Sequence, residues 1–149
     1  MIIRLEHNTS IEETEIIIRY PVMSKEVERI AAMLQSANTR IRCNDEEGRD
    51  KFINVSDVFY FESVERVIFA YCEQDVYKTD LRLYQVVEDY ANLGFVQISK
   101  SCVLNINMLD SITPLLNSRM EATLKNGERI HITRKYLENI RKALLGGSI

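Results

Sequence analysis

From Thr39 onward the chain is written in short apolar runs separated by polar turn residues, and that rhythm limits the fold more than any other feature. Residues 40–43, 51–54, 58–62, 67–71 and 75–79 read as strands, the first two joined by Asn44-Asp45-Glu46-Glu47-Gly48. Such spacing predicts a mainly antiparallel β module. One helix interrupts it, because Leu83, Val86, Val87 and Tyr90 fall at i, i+3, i+4 and i+7 and Gly94 follows. Strand character returns at 95–99. Asn126-Gly127, with Ala122 and Leu124 before it and Ile130 and Ile132 after it, predicts a hairpin with a two-residue turn. Those four apolar residues face the core, and Arg129, His131 and Thr133 face the other way. The last segment changes to helical spacing, with Leu137, Ile140 and Leu144 inward and Gly146-Gly147 as its stop.

Ahead of this module, residues 1–39 read as a small extension. Strands are predicted over 2–5 and 15–19, then, after Pro21, a helix over 25–36. Ser24 can cap that helix, Glu26 lies in its first turn where the dipole favours an anion, and Val27, Ile30, Ala31 and Leu34 form its apolar stripe. The predicted class is α+β, divided as a strand-helix extension at 1–39 and a β domain at 40–149.

A chain of 149 residues with 46% apolar composition can bury a core without disulfides or metal. No charged start leads into an apolar run, and no stretch of eighteen apolar residues occurs, so the expected compartment is the cytoplasm. Cys43, Cys72 and Cys102 are odd in number and sit in or beside apolar runs, which suits reduced, buried thiols. His7 and His131 lie far apart and no CxxC occurs, which leaves no zinc ligand set.

Catalytic signatures are missing as well. The five glycines never reach the spacing of a phosphate loop, the serines lack a nucleophile elbow, and two scattered histidines offer little for a nucleophile-base pair. The chain is therefore expected not to be an enzyme, and neither a cofactor nor a small-molecule substrate is called for. Charge points elsewhere. From Lys100 to the end, eight Lys/Arg stand against four Asp/Glu, a net +4, whereas the preceding residues carry eleven against eighteen, a net −7. A basic C-terminal part suggests a localised anionic partner. The predicted helices are separated by strands, so a helix-turn-helix is excluded and a DNA reader built this way must use loops or strands.

Several of these segments together resemble one family. Val58-Phe59-Tyr60-Phe61-Glu62-Ser63, then Phe95-Val96-Gln97-Ile98-Ser99-Lys100-Ser101-Cys102-Val103-Leu104-Asn105, then Lys125-Asn126-Gly127-Glu128 and Ile132-Thr133-Arg134-Lys135-Tyr136 are similar, in order and spacing, to the LytTR DNA-binding domain. The resemblance covers roughly residues 40–145, with Cys102 standing where the family favours an aromatic and Thr133 where it favours serine. It implies an elongated fold of antiparallel sheets that presents loops to successive major grooves of double-stranded promoter DNA. It also implies dimeric binding to repeated half-sites. The family's contact positions fall on Arg66 in the loop after the Phe61-Glu62-Ser63 strand, on Lys100 and Ser101, and on Arg134 and Lys135. Residues 1–39 are too short for a receiver domain, so control by a membrane-protein partner or by expression level is expected instead. A protein-interaction module that kept the fold without DNA binding is the rival reading, and an acidic or apolar surface at the three loops would mark it.

The chemistry of those positions agrees. An Arg fork can hold guanine O6 and N7 together, which suits Arg66 and Arg134 as base readers. Lys100 beside the Ser101 hydroxyl suits phosphate oxygens, which fix position without reading sequence. Lys135 at a helix start is opposed by the dipole unless an anion lies close, and a phosphate would be that anion. Asn105 is expected to close a local turn, and Tyr60, Phe61 and Phe95 to be core.

Overall fold

The structure, a computed structural model, describes residues 1–145. Helix α1 spans Lys25–Ala37, and strands follow as β1 Arg40–Asn44, β2 Asp50–Asn54, β3 Tyr60–Val64, β4 Val67–Tyr71 and β5 Val76–Thr79. Then come α2 Leu83–Asp89, β6 Phe95–Ser99, β7 Cys102–Asn105, β8 Leu109–Pro114, β9 Met120–Leu124, β10 Arg129–Ile132 and α3 Leu137–Leu145. All ladders are antiparallel, in a seven-stranded sheet ordered β2-β1-β5-β4-β3-β7-β6 and a three-stranded sheet ordered β10-β9-β8. The expected α+β class with a mainly antiparallel β domain is what forms.

The period of two along β3 and β7 divides the interior into two cores. Phe61 and Val103 point to one face of the large sheet, where Val86 of α2, Phe95, Ile68, Val55 and Val58 cover them. Tyr60, Cys102 and Leu104 point to the other face, against Ala122 and Leu124 of β9, Ile132 of β10 and Ile140 of α3. Sandwiched between layers, β7 is buried at every residue. Phe61 is fully buried, 5.4 Å from the Phe95 ring and 6.1 Å from the Tyr90 ring, so truncating it to alanine should cost about 3–5 kcal/mol. A polar contact also joins the layers: the Tyr60 hydroxyl donates to Glu128 Oε1 at 2.5 Å, across from β3 to the β9–β10 hairpin.

Helix α1 begins as expected, with Ser24 Oγ accepting from the Val27 N–H at 3.3 Å. Its stripe is only partly covered: Val27, Ile30 and Ala31 are half-buried against the turns at residues 55–57 and 91–93, and Leu34 remains exposed. The strands expected over 2–5 and 15–19 do not form. A strand needs a ladder partner, and among the described residues no backbone hydrogen bond ties residues 1–23 to the rest of the chain. The extension is thus a helix preceded by an unpaired segment.

The Asn126-Gly127 hairpin forms with a different loop. Leu124 pairs with Glu128 through the Glu128 carbonyl, enclosing three residues, Lys125, Asn126 and Gly127, with Gly127 at φ 86°. Two residues would have set Ala122 opposite His131. Three set it opposite Ile130, which keeps the apolar residues of both strands on one face. His131, opposite Glu121, is exposed as expected. In α3, Leu137 and Ile140 pack inward, but Leu144 is 39% exposed, because the core has ended by that last turn. The expected Gly146-Gly147 stop lies outside the described residues.

Candidate nucleic-acid interface

Three connections meet at one end of the molecule. Between β3 and β4 the turn is Glu65-Arg66, both left-handed at φ 51° and 68°, which joins the Val64–Val67 pair with two residues and matches the twist of the strands. Neither residue is glycine, so the conformation is held by the ladders on either side. Arg66 is exposed at the tip. Between β6 and β7 the turn is Lys100-Ser101, closing on the Ser99–Cys102 pair, with Ser99 Oγ accepting from the Ser101 N–H at 3.3 Å. The Ser101 carbonyl in turn accepts from the Ser63 N–H at 2.8 Å, which locks this turn beside the first.

The third connection runs from β10 into α3. Thr133 donates to the Ile98 carbonyl through its N–H at 3.0 Å and its hydroxyl at 3.4 Å, and a single turn over Arg134–Tyr136 follows. That bond fixes the junction beside the β6 end, two residues from Lys100. Arg66, Lys100, Ser101, Arg134 and Lys135 are thereby gathered on one rim. Ser101 is half-buried and the four cations are exposed.

Sequence reasoning missed a fourth member of this rim. The β8–β9 connection carries Asn117 and Ser118 with φ 66° and 60°, and the Asn117 carbonyl accepts from Arg134 Nη2 at 2.7 Å. Arg119, His131, Ile132, Thr133 and Arg134 line a groove beside it. The signal was the turn chemistry of Asn117-Ser118 after Pro114, followed by a cation.

Among the described residues none of Arg66, Lys100, Arg119, Arg134 and Lys135 forms an ion pair, a condition they share with most other cations of the chain, Arg40, Lys51, Lys78 and Lys125 among them. Lys135 Nζ instead lies 5.6 Å from the Tyr136 ring centre. Glu65, beside Arg66, is the anion at the first tip. Exposed cations gathered on one rim suit a polyanion.

The remaining chemically notable groups have structural duties. Burial, with Glu62 and Glu128 adding, pushes the Cys102 thiol up to about 12, and burial, with Asp57 adding, does the same for Cys72. Burial also raises Cys43, and no disulfide links the three. Tyr60 is raised first by burial and then by its hydrogen bond to Glu128. Asn105 is buried, donates to the Val58 carbonyl at 2.9 Å and accepts from the Asn107 N–H at 3.0 Å, closing the turn after β7. Phe61, Phe95 and Tyr60 are core. No cluster of His, Cys, Asp and Glu fit to hold a metal occurs among the described residues, nor any helix long and apolar enough to cross a membrane.

Comparison with known proteins bears on the family and the fold. Residues 48–145 match the family model of the LytTr DNA-binding domain. The chain belongs to the LytTR family. A Staphylococcus aureus protein (strain NCTC 8325) named as an uncharacterized HTH-type transcriptional regulator is 29% identical over 140 residues, covering 92% of this chain and 93% of its own length. That match leaves out fewer residues than the 1–23 segment contains, so it reaches into the segment. The Bacillus cereus sensory transduction protein LytT is 24% identical over 92 residues, 62% of this chain and 37% of its own. In shape, the LytTr DNA-binding domain of a Bacillus cereus response regulator superposes with a TM-score of 0.66 at 21% identity, covering 71% of this chain and 96% of that one. The family is one of DNA-binding domains and not an enzyme class. The helix-turn-helix in the staphylococcal name has no counterpart among this chain's described residues, whose helices are separated by strands.

Proposed function

We propose that this LytTR chain binds double-stranded promoter DNA sequence-specifically, with its loop rim set into successive major grooves. The observation that carries the reading is the meeting of three connections, pinned by the Ser63–Ser101 and Thr133–Ile98 hydrogen bonds, which brings four exposed cations to one rim. Arg66 and Arg134 act as base readers. Lys100, Ser101 and Lys135 hold phosphates, Lys135 joined by backbone N–H groups at the turn before α3. Residues 40–149 form the DNA-binding domain and residues 1–39 an extension outside it. The chain works in the cytoplasm as a homodimer on repeated half-sites, in the manner of a response regulator whose input is a membrane-protein partner or its own abundance.

Selection of bound sequences from a random duplex library, followed by titration at several salt concentrations, tests this. The expected result is one enriched motif and an affinity falling steeply with salt as counterions are released. Recovery of no motif, with binding absent above about 10 µM protein, would overturn it and leave the protein-interaction reading.

A further inference from the structure

We propose that residues 1–23 are an exchange arm: the segment around residues 14–20 adds as a strand to the open β2 edge of a second copy of this chain, and the two copies dimerise by trading arms. The inference rests on the dimeric reading above and assigns it a means.

Ten large apolar side chains between Met1 and Met23 are exposed, among them Leu5 at 96%, Ile16 at 63% and Ile17 at 62%. At roughly 100 Å² each they leave on the order of 1,000 Å² of apolar side-chain surface uncovered along the arm. The same area exceeds the about 800 Å² that each partner contributes to a standard interface. Within the arm, Thr14-Glu15-Ile16-Ile17-Ile18-Arg19-Tyr20 is rich in β-branched and aromatic residues and ends at Pro21. It is a strand sequence without a ladder, as the unpaired backbone of residues 1–23 shows.

The sheets offer four edges, and three of them are blunted. Strand β8 carries a bulge between Leu109 and Ser111 and ends in Pro114. Strand β6 has its own bulge, lies under α3, and has the Gln97 carbonyl occupied by Asn139 Nδ2 at 3.3 Å. Strand β10 has only four residues and packs beside β6. Bulges, proline, short length and covering helices are the usual guards against strand addition. Strand β2 has no bulge, proline or covering helix: it runs five residues in unbroken register with β1, Phe52 is 57% exposed, and its charges, Asp50 and Lys51, lie at one end. Arg40 holds this edge as Asn139 holds β6, with its Nη2 on the Phe52 carbonyl at 3.3 Å and its guanidinium 5.4 Å from the Phe52 ring centre, so an added strand must displace one exposed side chain.

A second copy is the occupant because each chain carries one unpaired arm and, among its described strands, one edge without bulge, proline or covering helix, so a symmetric exchange satisfies both on both sides and closes. An anionic lipid surface fits worse. The arm holds Glu6, Glu12, Glu13 and Glu15 against Arg4 and Arg19, and lacks the basic cluster such surfaces attract.

The test is sedimentation velocity of the full chain without DNA, over a range of concentrations, so that it stands apart from any result on DNA binding. The wild type should sediment as a dimer. The Ile16→Pro/Ile17→Pro variant should dissociate at least about tenfold more readily, since proline cannot donate to a ladder, and should keep the wild-type circular-dichroism spectrum because the arm makes no backbone bond to its own body. Phe52→Lys, a charged guard placed on the edge strand, should weaken the dimer similarly. An equimolar mixture of the two variants regains one arm-edge pair and should dimerise more tightly than either alone. A monomeric wild type, a dimer indifferent to both variants, a mixture no tighter than its components, or a monomer that co-sediments with anionic phospholipid vesicles would each overturn the proposal.

Discussion

Arg134 links the β10–α3 junction to the β8–β9 connection, and replacing it by alanine separates two of its duties. The Nη2 hydrogen bond to the Asn117 carbonyl is exposed, so its loss should cost at most about 1 kcal/mol of folding stability. For a chain of this length that is a drop in Tm of about 2–4 °C. A guanine contact made by the rest of the fork should cost a further 1–3 kcal/mol on the selected site, about 5- to 150-fold in Kd, with relaxed preference at one or two base positions. Arg134→Lys keeps the charge but not the fork, so it should retain the salt slope while losing most of that preference. Lys100→Ala is the contrasting control, expected to weaken selected and scrambled duplexes equally and to lower the salt slope by about one unit. The assay is a fluorescence-anisotropy titration of the variants on both duplexes at several salt concentrations. If Arg134→Ala weakened both duplexes alike while Lys100→Ala shifted base preference, the division into readers and anchors would be reversed. If neither moved Kd, the rim would not be the DNA face.

Other consequences follow from contacts already described. Glu128→Ala leaves the buried Tyr60 hydroxyl unpartnered and should destabilise the chain by about 1–3 kcal/mol in urea unfolding, with Glu128→Gln, which keeps an acceptor, recovering most of it. Cys72 and Cys102, both held near 12 by burial, should react with a thiol reagent at pH 8 on the order of a thousandfold more slowly than in the unfolded chain. Because the folded state binds those protons more tightly, the same two groups should make stability fall as pH rises from the ordinary thiol value of 9.0 toward about 12, a slope readable by urea titration and reduced in Cys72→Ser. Arg119→Ala should weaken DNA binding although nothing in the resemblance pointed to it, since Arg119 shares a groove with Arg134; unchanged affinity would confine the rim to its three original connections.

Local pattern made much of this fold legible. The stripe Leu83, Val86, Val87 and Tyr90 gave α2, and Ser24 gave the start of α1, because both signals lie within one or two turns of chain. Strand β8 went unread, since the bulge between Leu109 and Ser111 breaks its alternation. The loop at Asn126-Gly127 was one residue longer than its dipeptide suggested, a matter decided by which faces the core must bury. For residues 1–23 apolar runs suggested strands, but strandhood depends on a partner that local pattern cannot supply. The site shows the same divide. Arg66, Lys100 and Arg134 were recognisable one by one, yet their meeting rests on bonds such as Ser63 to Ser101, between residues 38 positions apart in numbering, which only the strand order determines.

The turn at Glu65-Arg66 bears on how such a reader can diversify. With two residues, both left-handed, and the neighbouring Ser63 N–H already committed to Ser101, an inserted residue would break the Val64–Val67 pair or slide β3 by one position and turn its core face outward. Length is therefore closed to change at this tip, whereas the side chain at position 66 projects freely. A lineage acquiring a new operator through this tip would do so by exchanging the residue it displays, leaving the spacing of the rim as an inherited constant against which promoters must be matched.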